Sequence, residues 1–424
     1  MSCLRFRFCG TILFLLFFSP FLVGPSFLSA AIALQPVIDA APAGSRIDLP
    51  PGKYRGPIHI NKALILQGSG SSTVIEGTGQ GSVVGIHASH VTLRSLTLRR
   101  SGRRRETMDA AIQIERASDV EIEKCRIEDA LFGILAQESR RIRLLGNDIA
   151  SIPEKVVDNR GDGIRLWGVT QAEIRGNRLH RSRDLSIIRS RNLLLDSNSI
   201  ARSRYGILLE MDRNVTARRN RLVHNYAGIL LKGGRDLTLR ENFIARSRSV
   251  TGTGILLSGG RKIRVLANRI VGCAQGLYID TGASERGMRR WILGNQFLAN
   301  TSALHFHAAI RNNTIRKNIV KGNLEDVTVD LRSALRKNND ISGNYWDRYE
   351  GFDRDHDGFG DTPYQVWIYA DKLWEYDHHL RWFYATPLMS LLDFIERIAP
   401  FDEPDLLFVD PHPRMQPPSS FDED

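Results

Sequence analysis

Leu193-Leu-Leu195, Asn198-Ser-Ile200 and Gly206-Ile207 are followed by Asn220-Arg-Leu222 and Gly228-Ile229, and these by Leu237-Thr-Leu239, Asn242-Phe-Ile244 and Gly254-Ile255. One phrase returns about every 22 residues. Outward from it, the Asn register continues through Asn147-Asp-Ile149 and Asn177-Arg-Leu179 on one side, and through Asn268-Arg-Ile270, Asn295-Gln-Phe297 and Asn318-Ile-Val320 on the other. The Gly register adds Gly133-Ile134, Gly163-Ile164 and Gly276-Leu277, and a third register adds Val120-Glu-Ile122, Ile142-Arg-Leu144 and Ile263-Arg-Val265. Each segment alternates apolar and polar residues with a period of two, so each is a short strand with one side facing a common interior. Three strands per coil predict an all-β chain, a right-handed parallel β-helix of about a dozen coils over residues 46–346. Leucine-rich repeats are excluded because strands outnumber one per repeat and no helical segment fits between them.

The recurrent Asn is expected at the bend before a strand, in left-handed backbone, with its amide bonding to the Asn of the next coil. The Gly before each Ile is read as a bend residue as well. Of four cysteines, Cys3 and Cys9 precede the repeats. Cys125 stands at an Asn position, and six coils separate it from the coil carrying Cys273, roughly 29 Å at the strand spacing. A disulfide tolerates about 7 Å between Cα atoms, so two free, buried thiols are expected.

The N-terminus combines Arg5 and Arg7, an apolar run from Ile12 to Val23, and the small residues Ala30, Ala31 and Ala33. Residues 1–33 therefore read as a secretory signal peptide, and an exported chain is expected. Leu34, Val37, Ile38 and Ala41 then fall at helical spacing, which predicts a capping helix within residues 34–45.

The formal charge of +11 is a sum of unlike parts. From Asp340 onward there are 19 acidic and 6 basic residues, a net of −13; the remaining 28 acidic and 52 basic residues give the first 339 positions +24. The Arg excess falls on outward positions of the repeat, so the basic balance describes a solvated surface and not a nucleic-acid site.

Residues 347–424 form an acidic C-terminal module. Asp353, Asp355, Asp357 and Asp361, with Gly358 at the sixth position, follow the order of oxygen ligands in a calcium loop; Tyr364 stands where the bidentate Glu belongs. Two readings remain open, a structural Ca²⁺ site and an acidic turn without metal. Leu388, Leu391, Leu392, Ile395 and Ile398 lie on one helical stripe, which either caps the β-helix or docks into a partner's groove. Asp410-Pro-His412 and a flexible tail follow.

The opening Leu34-Gln-Pro-Val-Ile-Asp-Ala-Ala-Pro-Ala-Gly44, the coils, Gly343-Asn-Tyr-Trp346, the Asp353–Asp361 loop with Thr362-Pro-Tyr364, the Leu388–Ile398 stripe and Val409-Asp-Pro-His-Pro413 together resemble the NosD family, the periplasmic maturation proteins of nitrous oxide reductase. The resemblance covers nearly the whole chain after the signal. It implies a non-enzymatic, copper-binding accessory protein, peripheral to the inner membrane. Its implied partners are the membrane subunit of an ABC transporter with its cytoplasmic ATPase, a copper chaperone, and the reductase whose copper-sulfide centre is assembled. It assigns no copper ligands. From chemistry, Cu(I) takes thiol, thioether or imidazole. His305 and His307 share one strand face; Met211, Met288, Met415, His378, His379 and His412 are further candidates.

The competing class is a carbohydrate-active β-helix, a lyase or epimerase acting on acidic polysaccharide, or a non-catalytic sugar binder. Arg165, Arg189, Arg204 and Arg240 could neutralise acidic sugars. Asp410-Pro-His412 is similar to a motif of alginate epimerases, but it lies in the tail and Pro413 follows it, so that match is taken as accidental.

Overall fold

The structure is a computed structural model, described here over residues 31–247, 252–280, 287–307, 310–330, 338–368, 391, 395 and 405–418. Most of the proposed signal 1–33 lies outside these residues. Strands of successive coils pair in parallel into sheets of 14, 12 and 13 strands, which together make a right-handed solenoid of about 13 turns. The register explains the alternation. Along the twelve-stranded sheet Ile112, Ile134, Ile164, Leu185, Ile207, Ile229, Ile255, Leu277 and Leu304 stack one on another, all fully buried. Each such side chain contributes about 1.5–3 kcal/mol of burial. The helix Gln35–Ala40 closes the N-terminal end by burying Leu34 and Ile38, whereas Val37 is 43% exposed and faces away. Ile32–Ala33 pairs in parallel with Tyr54–Arg55.

The Asn ladder is present, with a different backbone from the one expected. Asn147, Asn177, Asn198, Asn220, Asn242, Asn268, Asn295 and Asn318 are each 0–1% exposed. In each, the backbone N–H and the side-chain Nδ2 both donate to Oδ1 of the next Asn at 2.8–3.0 Å. Nδ2 also donates to a carbonyl of a preceding coil, as from Asn198 to Ile174 at 2.8 Å. The left-handed residue is the one before the Asn. Ser197, Arg219, Glu241, Ala267 and Lys317 take φ of 50 to 55° there, which turns the Asn side chain inward. A shorter second ladder joins Cys273 N–H to Asn300 and Asn300 to Asn323.

The repeated Gly is likewise not a bend residue. Gly206, Gly228, Gly254 and Gly276 lie within strands at negative φ, and a Cβ on any of them would come within 2.5–2.6 Å of the carbonyl oxygen of the next coil. Close approach of neighbouring coils requires glycine here. Both thiols are free and buried, as expected. Burial pushes Cys125 up to about 12 and raises Cys273 too, so neither is a reactive thiolate.

The segment expected as a tail returns to the β-helix. Asp405–Asp410 pairs antiparallel with Tyr364–Ile368, and Asp410 is fully buried where the next ladder Asn would stand. Its Oδ2 accepts the N–H and Nδ2–H of Asn344, at 3.0 and 2.8 Å, and the indole N–H of Trp346 at 3.1 Å. Trp346 stacks on Tyr364 and meets Phe408 edge-on. The backbone then pairs Arg414 N–H with Asn344 O and Gly343 N–H with His412 O. Asp410-Pro-His412 is therefore the C-terminal closure and shares no role with a catalytic motif on a coil.

Two outcomes test this account. Asp410→Ala strands three buried donors and costs about 3–5 kcal/mol locally; hydrogen exchange should accelerate at 340–346 and 405–410 while the coils near 120–200 stay protected, because stability in a solenoid is local. Asp212, fully buried in a turn, accepts Ser190 N–H at 2.7 Å with one oxygen and leaves the other without a partner among the described residues. Burial raises its carboxyl to about 7. The folded state thus holds a proton that the unfolded chain releases near pH 4, so stability falls as pH rises from about 4 to about 7, by roughly 4 kcal/mol at most. Asp212→Asn should match the parent's melting temperature at pH 4 and exceed it at pH 8; equal melting at pH 8 would refute the assignment.

Candidate functional site

His305 lies on the strand Ser302–Phe306, where Leu304 and Phe306 point inward and His305 outward, in register with Tyr278 and Thr328 of the adjoining coils. It is nonetheless only 7% exposed, covered by the edge of Tyr278 with ring centroids 4.9 Å apart. Asp330 collects the cluster. It faces His305 Nε2 at 2.7 Å and His307 Nδ1 at 3.1 Å, and accepts the Tyr278 hydroxyl at 3.2 Å. Burial works to raise the Asp330 carboxyl, but the bonds from both histidines and Tyr278 prevail and hold it at about 2. The Tyr278 phenol is raised by burial and by that same negative charge.

An ionised carboxylate only accepts, so the ring nitrogens facing Asp330 carry the protons. Gln275 Nε2 donates to the other nitrogen of His305 at 2.9 Å. Both His305 nitrogens are thus engaged, and the lone pair of His307 Nε2 is the one turned away from Asp330. The structure brings the two expected copper candidates together, with a carboxylate standing between them. The residue types fit copper; in the geometry present they are held as hydrogen-bond partners of Asp330.

Of the calcium-like loop, Asp353, Asp355 and Asp357 each offer an oxygen within 4.8 Å of the others. Asp361 does not join them and accepts Arg354 N–H at 2.9 Å. The three carboxylates also cap the loop's own amides: Asp353 takes Asp357 and Gly358 N–H, Asp355 shares Asp357 N–H, and Asp357 takes Phe359 N–H. These bonds are those of an acidic turn. Met211 is 61% exposed, Met288 is buried against Arg290 Nη2 at 3.0 Å, and Met415 N–H bonds Gly358 O. His412 lies exposed in the C-terminal closure, and His378 and His379 fall outside the described residues. So do Leu388, Leu392 and Ile398; Leu391 and Ile395 are helical and 52% and 39% exposed. No described helix is long and apolar enough to cross a membrane.

A second histidine pair escaped the sequence reading. His59 and His87 stand on consecutive coils of the twelve-stranded sheet with rings 6.4 Å apart and 18° from parallel. They are 28 positions apart in no motif, and only the register brings them together.

The family model described as "Periplasmic copper-binding protein (NosD)" matches residues 149–351. A protein of Pseudomonas aeruginosa named "Probable ABC transporter binding protein NosD" is 31% identical over 419 residues, 93% of this chain and 94% of that one. Its namesake in Stutzerimonas stutzeri is 27% identical, with 88% of each chain covered. Among solved structures, the A-module of Azotobacter vinelandii mannuronan C-5 epimerase AlgE6 superposes with a TM-score of 0.54 at 17% identity, covering 73% of this chain and 91% of that one. A family 28 exopolygalacturonase of Yersinia enterocolitica gives 0.51 at 10%, covering 73% and 75%. At such identities these likenesses concern the fold alone.

The role assigned to Asp330 is measurable. Asp330→Asn places an amide where several donors converge, at a cost of about 1–3 kcal/mol, and should redistribute the His305 and His307 tautomers in imidazole ¹⁵N spectra. Unchanged nitrogen shifts would show that Asp330 does not set them.

Proposed function

The chain belongs to the NosD family, and from that premise we propose that it is a periplasmic accessory protein which docks on the membrane subunit of an ABC transporter and, with copper as cargo, serves to mature the copper-sulfide centre of nitrous oxide reductase. The full-length likeness to proteins named as ABC transporter binding proteins supports the partner, and the family's description as periplasmic and copper-binding supports the compartment and the cargo. The cytoplasmic ATPase would act through the membrane subunit, and a copper chaperone would supply the metal.

One observation carries the docking half of this reading. Tyr364–Ile368 and Asp405–Asp410 pair so that Ile368 lies beside Asp405. Residues 369–404 therefore leave and re-enter the β-helix end at one point. The apolar stripe belongs to this excursion, and its two described members, Leu391 and Ile395, are exposed. Apolar side chains left uncovered on a helix stabilise nothing in the chain itself and are available to a partner's groove.

The test is substitution on that stripe. Leu391→Asp with Ile395→Asp should weaken co-purification with the transporter's membrane subunit by tenfold or more, leave the melting temperature of the β-helix unchanged, and lower the copper content of the reductase in cells. Undiminished co-purification would remove the stripe from the interface.

A further inference from the structure

Along the outward row of the twelve-stranded sheet, His59, Gly85, Gln113, Leu135, Arg165 and Ser186 lie in register on successive coils. Gly85 is the one position of this run without a side chain. Its backbone does not take positive φ, so turn geometry does not call for glycine. What the missing Cβ leaves is space. A Cβ there would sit 3.1 Å from His59 Nδ1 and 3.3 Å from His87 Nε2. Two imidazole nitrogens from different coils thus converge above bare backbone.

The separation of the rings leaves room for an ion between them. With metal–nitrogen bonds of about 2.0 Å, and each nitrogen about 1.2 Å from its own ring centre, a linear nitrogen–metal–nitrogen bridge sets the ring centres about 6 Å apart. The observed separation is 6.4 Å. Behind the pair stand supporting groups. Glu115 Oε2 lies 3.8 Å from His87 Nδ1, the nitrogen that must keep its proton when Nε2 binds metal. Gln113 Nε2 donates to the other Glu115 oxygen at 2.6 Å, and Gln113 Oε1 accepts the Ser82 hydroxyl at 2.7 Å. On the opposite side the Gln35 side chain accepts His59 N–H at 2.7 Å and donates to His59 O at 3.1 Å, which ties the strand to the capping helix.

We propose that His59 and His87 form a two-imidazole site for copper(I), floored by Gly85 and oriented by Glu115, at the N-terminal end of the β-helix. The choice of metal rests on the copper-cargo reading above. The coordination number agrees with it, because zinc, calcium and magnesium complete four or more ligands while monovalent d¹⁰ copper is satisfied by two, and imidazole is among its ligands. Both histidines are solvent-exposed. Two neutral ligands open to solvent hold an ion that can be handed on. The site stands at the opposite end of the β-helix from Ile368 and Asp405, between which residues 369–404 are anchored.

The experiment is an anaerobic titration of the full-length protein with Cu(I) against a chromogenic competing chelator. The chain with its native residues should withdraw one equivalent, with two nitrogen neighbours in X-ray absorption. His59→Ala with His87→Ala should abolish that uptake. Gly85→Ala, which keeps every ligand, and Glu115→Gln should each weaken it about 10–100-fold. His305→Ala with His307→Ala should leave it unchanged, and the variants at His59, His87, Gly85 and Glu115 should keep the parent's melting temperature. Copper uptake by the native chain that survives the His59/His87 double substitution overturns this site and leaves the copper-cargo reading standing. No uptake by the native chain overturns both.

Discussion

A carboxamide ladder has a direction, and the rest of this molecule is arranged around that fact. Every Asn gives its N–H and Nδ2–H to the Oδ1 above and receives the same pair from below, so the buried bends of successive coils are satisfied without water. The ladder cannot begin or end on an ordinary repeat. At its start Cys125 contributes only a backbone N–H to Asn147 Oδ1, at 2.9 Å, and asks for no carboxamide below it. At its end Asn344 offers two donors and needs a group that only accepts. Asp410 is that group, and bringing it there obliges the chain to return across 66 residues.

The periodic part of this arrangement was legible because each coil repeats its requirement at nearly fixed spacing. Asn, inward Ile or Leu, and Gly each recur with a physical cause, and the strands followed from them. The causes were less legible than the positions. The left-handed residue is Ser197, Arg219, Glu241 or Lys317 in different coils, so composition carries no sign of it, and the adjoining Asn attracts an inference that belongs one residue earlier. The strand glycines serve close approach between coils, a contact absent from any single repeat. Asp410 was unreadable for a different reason: it substitutes for an Asn of the ladder from far along the chain, inside a motif that suggested something else. The histidines at 59 and 87 share no spacing rule, and only the register of adjacent coils unites them.

The surface chemistry divides along the same geometry. On the thirteen-stranded sheet, Arg94, Glu121, Arg143, Glu173, Arg175 and Asp196 form a chain of ion pairs from coil to coil. Each exposed pair is worth about 0–1 kcal/mol, so the row keeps the face soluble more than it holds the coils together. The twelve-stranded sheet differs. Its outward rows carry His59 and His87 toward one end and the Tyr278, His305, His307 and Asp330 cluster toward the other, with Leu208, Leu230 and Leu256 between them in register. This row of alternating charge lies on a face apart from the one that bears His59, His87, His305 and His307.

The antiparallel pair that closes the C-terminal end also sets how the molecule bears load. A pull on residues 369–404 reaches Ile368 and Asp405 together, at the same end of the two strands. Force applied that way opens a ribbon one hydrogen-bonded pair at a time, beginning at the excursion. Asp410, paired with Tyr364 at the far end, is the last to feel it. A partner tugging on the stripe would meet a yielding hinge first and the sealed ladder only afterwards, so the outermost strands take the strain and spare the coils.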